Sequence, residues 1–293
     1  MELLARSRRL AFPRRPLLMG ILNINDDSFS GDGKIDPDWA LQRARELVAL
    51  GADIVDVGGE SARTNRAAIS PDEELERIAP FIGRFAEVSA GVSPRDGEQV
   101  FPPLLSINTW RPEVAGPALV LGGHILNDMS ALPDDRNARI CAETGAALLI
   151  MHSVGTPKVP HTHVEYANVM EELAHFFETR IADAVAAGVP RESLILDPGI
   201  DFAKQAPDSL RIYRELEILT RFDRPILLPV SRKTVIGHVL DLPDPRDRDA
   251  ATAACIVAGM RRGAAIFRVH NVEMAWRVIR SIHRMEPVPA AVP

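Results

Sequence analysis

Short apolar runs recur along the chain, and most end in a polar residue able to bind a ligand: Asn23, Glu60, Asn108, Asn127, His152, Asp197, Lys233 and His270. Runs such as LLMGILNI (17–24), DIVDVGG (53–59), ALLIMH (147–152) and ILLPVS (226–231) lack the in–out alternation of a half-exposed strand. A strand covered on both faces reads this way, as in a parallel sheet wrapped by helices. Strands are expected near 17–24, 53–59, 104–109, 125–130, 147–152, 194–199, 226–231 and 266–270. Helical patterns fill the gaps near 36–50, 72–88, 111–121, 135–144, 165–188, 207–219, 247–262 and 271–284, with Pro71, Pro112 and Pro207 near helix starts, where a missing N–H costs little. Strand–helix alternation of this kind predicts an α/β fold: a single (β/α)8 TIM barrel with its active site at the C-terminal strand ends.

The boundaries follow from the same pattern. No Gly/Ser-rich or charged linker divides the 293 residues, so 17–286 is expected to form one barrel. Residues 1–16 should form a strand or hairpin closing its base, and 287–293 a disordered tail. The loops 25–35, 60–71, 153–164 and 232–246 are too long for simple connections and follow strand ends, where barrels place function. The 89–103 stretch lies on the opposite rim and is expected to be structural.

A formal charge of −6 argues against nucleic acid and for a small ligand, while leaving room for a local basic site. Cys141 and Cys255, the two cysteines, sit in helical patterns among small or apolar neighbours. That suggests neither a disulfide framework nor a thiolate metal site, and points to a reducing cytoplasm. The arginine-rich N-terminus lacks the apolar run of a secretory signal, and no segment is apolar enough to span a bilayer.

The richest chemistry lies in VSRKTVIG (230–237), where Ser231, Arg232 and Lys233 stand together at the mouth. FRVH (267–270) adds Arg268 and His270, and the helix starting near Asn271 directs its N–H groups the same way, an arrangement suited to phosphate. The bland reading is that Arg232 and Arg268 pair with rim carboxylates. Asp197, ending LILDPG, can accept two N–H bonds from a flat heterocycle while Asn127 both donates and accepts; alternatively Asp197 caps the turn at Pro198-Gly199. His152 is a general base or, more blandly, a loop anchor. His161 and His163 form a weak metal pair with nothing at suitable spacing to complete it.

The ordered set LNINDDSFSGDG (22–33), VDVGGESAR (55–63), ILNDMSAL (125–132), MHSVGTPK (151–158), LILDPGIDF (194–202), SRKTVIG (231–237) and FRVH (267–270) resembles the dihydropteroate synthases of folate biosynthesis. The resemblance covers roughly 16–285. It implies condensation of 6-hydroxymethyl-7,8-dihydropterin pyrophosphate with p-aminobenzoate, releasing pyrophosphate. It further implies that Asn108, Asn127, Met151, Asp197 and Lys233 bind the pterin, with Lys233, Asp197 and Asn108 taking part in catalysis. Asn23, Arg63, Arg268 and His270 would hold the pyrophosphate, with Asn23 also a ligand of Mg2+. Ala62, Thr64, Ser231 and Arg232 would shape the arylamine pocket. A cytoplasmic homodimer is implied as well.

Several positions depart from that pattern. Asn25 and Asp26 replace Thr-Pro in the first loop, and Gly31-Asp32 stands for Asp-Gly. In the second loop, Ala62 and Thr64-Asn65 remove a hydroxyl, a proline and a glycine. Asn108 stands where a pterin-facing carboxylate is expected, which predicts weaker support for positive charge on the pterin. Asp201-Phe202-Ala203-Lys204 replaces Gly-Phe-Gly-Lys, and Asn271 replaces an aspartate. Two alternatives stay open: a pterin-binding paralogue with weak or no turnover, and a pterin-dependent methyltransferase domain.

Overall fold

The computed structural model describes residues 1–25, 34–60, 67–159 and 164–286. Its sheet is a closed parallel barrel of eight strands: β3 (Leu17–Asn23), β4 (Ile54–Gly58), β5 (Leu104–Asn108), β6 (Ile125–Asp128), β7 (Ala147–Met151), β8 (Leu194–Asp197), β9 (Ile226–Leu228) and β10 (Ala264–Val269), with β10 closing onto β3. Two further strands, β1 (Glu2–Ala5) and β2 (Arg8–Ala11), precede it as an antiparallel hairpin. The helices α1 (Pro37–Ala49), α2 (Pro71–Gly83), α3 (Pro112–Leu121), α4 (Arg136–Thr144), α5 (Val169–Ala186), α6 (Ala206–Glu215), α7 (Thr234–Leu240), α8 (Asp249–Met260) and α9 (Val272–Met285) complete the described elements.

Two hydrophobic clusters explain why the strand runs look continuous. One face of each strand packs on the helices, as Leu18, Val55, Leu105, Leu126, Leu148 and Leu196 do. The alternate positions Leu17, Met19, Ile54, Leu104, Ile125, Leu149, Ile195, Leu227 and Ile266 fill the barrel interior. The hairpin's Leu3, Ala5 and Leu10 join this inner cluster and seal the N-terminal end. Further along the same inward rows the residues turn polar: Asp56 follows Ile54, Ser106 and Asn108 follow Leu104, Asn127 follows Ile125, Asp197 follows Ile195, and Arg268 follows Ile266.

Several expectations need correcting. The 232–246 stretch is not a plain loop, since it contains α7 and the start of a 3-10 turn, Pro245–Arg248. Seven residues are too few for periodicity to show, and α7 is held from elsewhere in the chain. The expected strand 226–231 stops at Leu228, before Pro229, whose missing N–H cannot serve a sheet ladder. Two of the expected helices also end early: α2 stops at Gly83 and α6 at Glu215, each continuing as a 3-10 turn, Phe85–Ser89 and Leu216–Phe222.

Candidate active site

Asp56 is the hub of the barrel mouth. Fully buried on β4, its carboxylate accepts hydrogen bonds from Ser106 Oγ at 2.5 Å, Asn108 Nδ2 at 3.2 Å, Asn127 Nδ2 at 3.1 Å and Arg268 Nε at 2.8 Å. Four strands thus contribute to one network, and Asp56 was not among the sequence candidates. Its signal was an ionisable residue at an inward position of an otherwise apolar run, obscured because strand-end residues drew attention instead. Asn108, where a carboxylate was expected, is an amide that donates to Asp56 on the neighbouring strand.

Across the mouth, Asp197 ends β8 and Met151 ends β7, the two being register partners. Asp197 Oδ1 accepts the Gly199 N–H at 2.7 Å, so the turn-capping role is real. Burial pushes Asp197 up to about 6, opposed by the Gly199 N–H and by Lys233, Lys204 and Arg268. Lys233 Nζ donates to the Ile200 carbonyl at 2.8 Å and lies 4.9 Å from the centre of the Phe202 ring.

His152 acts as a loop anchor here. Its Nδ1 lies 2.8 Å from Lys204 Nζ, which also donates to the Phe202 carbonyl at 3.1 Å. Burial, with Lys204 adding to it, drives His152 down to about 3, so the imidazole is neutral and Nδ1 serves as the acceptor. Burial likewise lowers Lys204, to about 7, against the pull of Asp197. Gly199 is fixed by the same packing: its φ is +68°, and a Cβ there would lie 1.9 Å from the His152 carbonyl oxygen.

Arg232 after β9 and Arg268 on β10 are both engaged. Arg232 forks onto Asp249 at 2.8 and 3.2 Å, as the bland reading anticipated for a rim carboxylate, whereas Arg268 pairs with Asp56, buried within β4. Pairing does not remove a guanidinium's remaining donors, and a carboxylate that grips one edge fixes where the others point. Ser231 Oγ contacts the His270 backbone N–H at 3.2 Å and its Nδ1 at 2.9 Å, tying the two motifs together. Asn271 caps α9 by accepting the Met274 N–H at 3.1 Å, so one of the N–H groups expected to face an anion is already occupied. Asn23 ends β3 beside Gly58.

A second polar cluster braces the rim after β4. Glu60, 3 % exposed, bonds Lys158 at 2.8 Å and Arg111 at 2.5 Å, and Arg111 also pairs with the buried Glu74. Burial raises Glu74, opposed by Thr109 and Arg111. Sequence reasoning gave none of Glu74, Arg111 or Lys158 a role, because their meaning depends on contacts between distant loops. Ala62, Arg63 and Thr64, with His161 and His163, lie outside the described residues.

The chain matches the model of the pterin binding enzyme family over residues 19–270. It is 36 % identical over 278 residues to the dihydropteroate synthase of Bacillus subtilis, covering 94 % of this chain and 90 % of that protein. The Yersinia pestis dihydropteroate synthase, solved with a sulfonamide drug complex, superposes with a TM-score of 0.87 at 33 % identity, covering 98 % of this chain and 100 % of the other. The Xanthomonas albilineans dihydropteroate synthase, solved with 4-aminobenzoic acid, gives 0.84 at 30 % identity, covering 98 % and 99 %. A barrel whose polar groups meet at the C-terminal mouth, matched to these proteins over nearly its whole length, belongs to the dihydropteroate synthase family of pterin-binding enzymes.

Proposed function

We propose that the barrel mouth condenses 6-hydroxymethyl-7,8-dihydropterin pyrophosphate with p-aminobenzoate, with the chain's residues divided between the pterin, the pyrophosphate and the arylamine. The observation that carries this reading is the convergence on one mouth of the Asp56 network with Asp197 and Lys233. The pterin takes the side lined by Asn108, Asn127, Met151, Asp197 and Lys233. A flat ring with adjacent N–H donors matches a carboxylate backed by amides that both donate and accept. Asp56 orients Asn108, Asn127 and Arg268 so that their remaining polar atoms are fixed before substrate arrives.

The pyrophosphate side combines Arg268 and His270 with Arg63. Cations there stabilise the charge that builds as the C–O bond breaks, while the electron-rich pterin spreads positive charge from its methylene. The arylamine nitrogen then forms the new C–N bond and loses its proton. Ser231 and Arg232, with Ala62 and Thr64, form the arylamine side, where the Arg232 guanidinium suits the carboxylate of p-aminobenzoate.

Mg2+ fits this arrangement through Asn23, whose amide supplies a hard oxygen donor at a strand end. Among the described residues no three His, Cys, Asp or Glu side chains are grouped as metal ligands. An ion that keeps several waters and takes its other ligands from substrate phosphates needs no such cage. When bound, it would neutralise charge on the pyrophosphate.

The chain is proposed to work as a cytoplasmic homodimer. Leu210 on α6 and Val239 and Leu240 on α7 give exposed apolar surface that pairing would cover. Among the described residues no helix is long and apolar enough to cross a membrane.

Calorimetry with pterin pyrophosphate tests the assignment. Lys233→Ala and Arg268→Ala should each weaken binding by about 1–3 kcal/mol, the loss expected when a charged partner of a hydrogen-bonded ligand is removed. Unchanged affinity in both variants would place the anion site elsewhere.

A further inference from the structure

The loop after β8 does more than connect. Asp201 and Ala203 both adopt left-handed backbone, with φ of +67° and +49°, a conformation unfavourable for residues carrying a Cβ. Asparagine and aspartate tolerate it best, and the Asp201 side chain uses it. Its Oδ2 accepts the Thr234 N–H and its Oδ1 accepts the Val235 N–H at 3.2 Å, so one carboxylate takes the first two N–H groups of α7. Lys233 is the N-cap of that helix and has no capping acceptor of its own. The acceptor that the helix start lacks comes from a residue 33 positions upstream.

The neighbours of Asp201 hold the other end of the same lysine. The Ile200 carbonyl accepts from Lys233 Nζ at 2.8 Å, and the Phe202 ring lies beneath it at 4.9 Å. Lys204 then fastens this loop to β7 through His152. Three consecutive residues, 200 to 202, therefore hold the helix start that follows Lys233 and its ammonium group.

We propose that Asp201 is a positioning residue for Lys233, fixing the start of α7 beside the lysine while its neighbours Ile200 and Phe202 hold the ammonium group. The proposal rests on the reading that Lys233 binds the pterin. Burial lowers the Lys233 pKa, Asp201 and Asp197 oppose that fall, and Arg268 adds to it. Removing Asp201 thus removes one of two carboxylates that favour the charged form.

Two substitutions separate the backbone role from the charge. Asp201→Gly suits the left-handed backbone but loses both hydrogen bonds and the charge. Asp201→Asn tolerates the backbone and keeps one acceptor but loses the charge. The first readout needs no substrate: the rate at which acetic anhydride labels Lys233 is followed across pH by peptide mass spectrometry. Both variants should shift Lys233 labelling to lower pH. In Asp201→Gly, KM for pterin pyrophosphate should rise about tenfold, roughly what losing one charge-assisted contact costs, and in Asp201→Asn by less. A Lys233 labelling profile in Asp201→Gly that matches the parent's would overturn the proposal. Lys233→Ala serves as the control for the reading beneath it: unchanged KM there, with labelling shifted in the Asp201 variants, sinks the pterin role of Lys233 and leaves the positioning intact.

Discussion

Two buried aspartates stand three positions apart, one just before β4 and one within it, and they are satisfied in contrasting ways. Asp53, just before β4, accepts from both terminal nitrogens of Arg15 at 2.9 and 3.0 Å and from the backbone N–H groups of Leu18 and Val100, each at 2.8 Å. Arg15 is itself only 2 % exposed, and the hairpin closes over this end. Asp56 is equally buried, yet all its partners are side chains, from Ser106, Asn108, Asn127 and Arg268. Backbone partners cannot be redirected, so Asp53 serves a joint. Side-chain amides and a guanidinium keep further donors and acceptors after binding one carboxylate, so Asp56 organises groups that a ligand can still use.

The largest expected effect breaks the joint. Arg15→Met leaves the buried Asp53 without its counter-ion, which should destabilise the fold by about 3–5 kcal/mol. Denaturant titration measures it, and at temperatures where the variant remains folded its kcat/KM should match the parent's. Asp56→Asn should show the reverse: kcat/KM lower by about 10²-fold or more, as for loss of a preorganised electrostatic element, with a smaller change in stability. Loss of activity in folded Arg15→Met comparable to that in Asp56→Asn would erase the distinction between the two ends.

A pH series sharpens the picture at the mouth. Asp197 is pushed up to about 6 from an ordinary value of 3.8, and its ionised form is the one that accepts two N–H bonds. Pterin affinity should therefore fall as pH drops through 6, and Asp197→Asn should flatten that dependence in calorimetry. The stability sign is opposite. The raised pKa means that the fold prefers the protonated acid, so this residue's contribution to stability declines as pH rises from 3.8 to about 6 and is constant above. The smallest effect belongs to Arg232, which Asp249 already grips. Arg232→Ala should raise the arylamine KM by about tenfold or less, as for loss of one charge-assisted bond, with little change in pterin affinity.

Much of the barrel was legible because each strand is covered on both faces, which leaves an unmistakable apolar run. The strand ends also announced Asn127 and Asp197, since a polar residue closing such a run stands out, and Lys233 was announced by its motif although it proved to cap α7. Asp56 did not stand out, because it sits mid-strand and its meaning depends on which face it occupies, a matter of period-2 register rather than composition. α7 was missed because its cap comes from Asp201 in another loop. The weak-turnover alternative drew on Asn108 in place of a carboxylate, where the structure shows an amide donating to Asp56, and on the altered 25–33 and 62–65 loops, most of which lie outside the described residues. Relatives named dihydropteroate synthase favour the synthase over the methyltransferase alternative.

The central claim is that the Asp56 end of the barrel performs pterin–arylamine condensation while the Asp53 end only holds the fold. Its most direct test is quantitation of pyrophosphate and dihydropteroate released from pterin pyrophosphate and p-aminobenzoate with Mg2+, by the parent, Asp56→Asn and Arg15→Met proteins, each verified as folded. The account predicts equal amounts of both products from the parent and from Arg15→Met, and a deficit of about 10²-fold with Asp56→Asn. Full product formation by Asp56→Asn, or none by the parent, would contradict it.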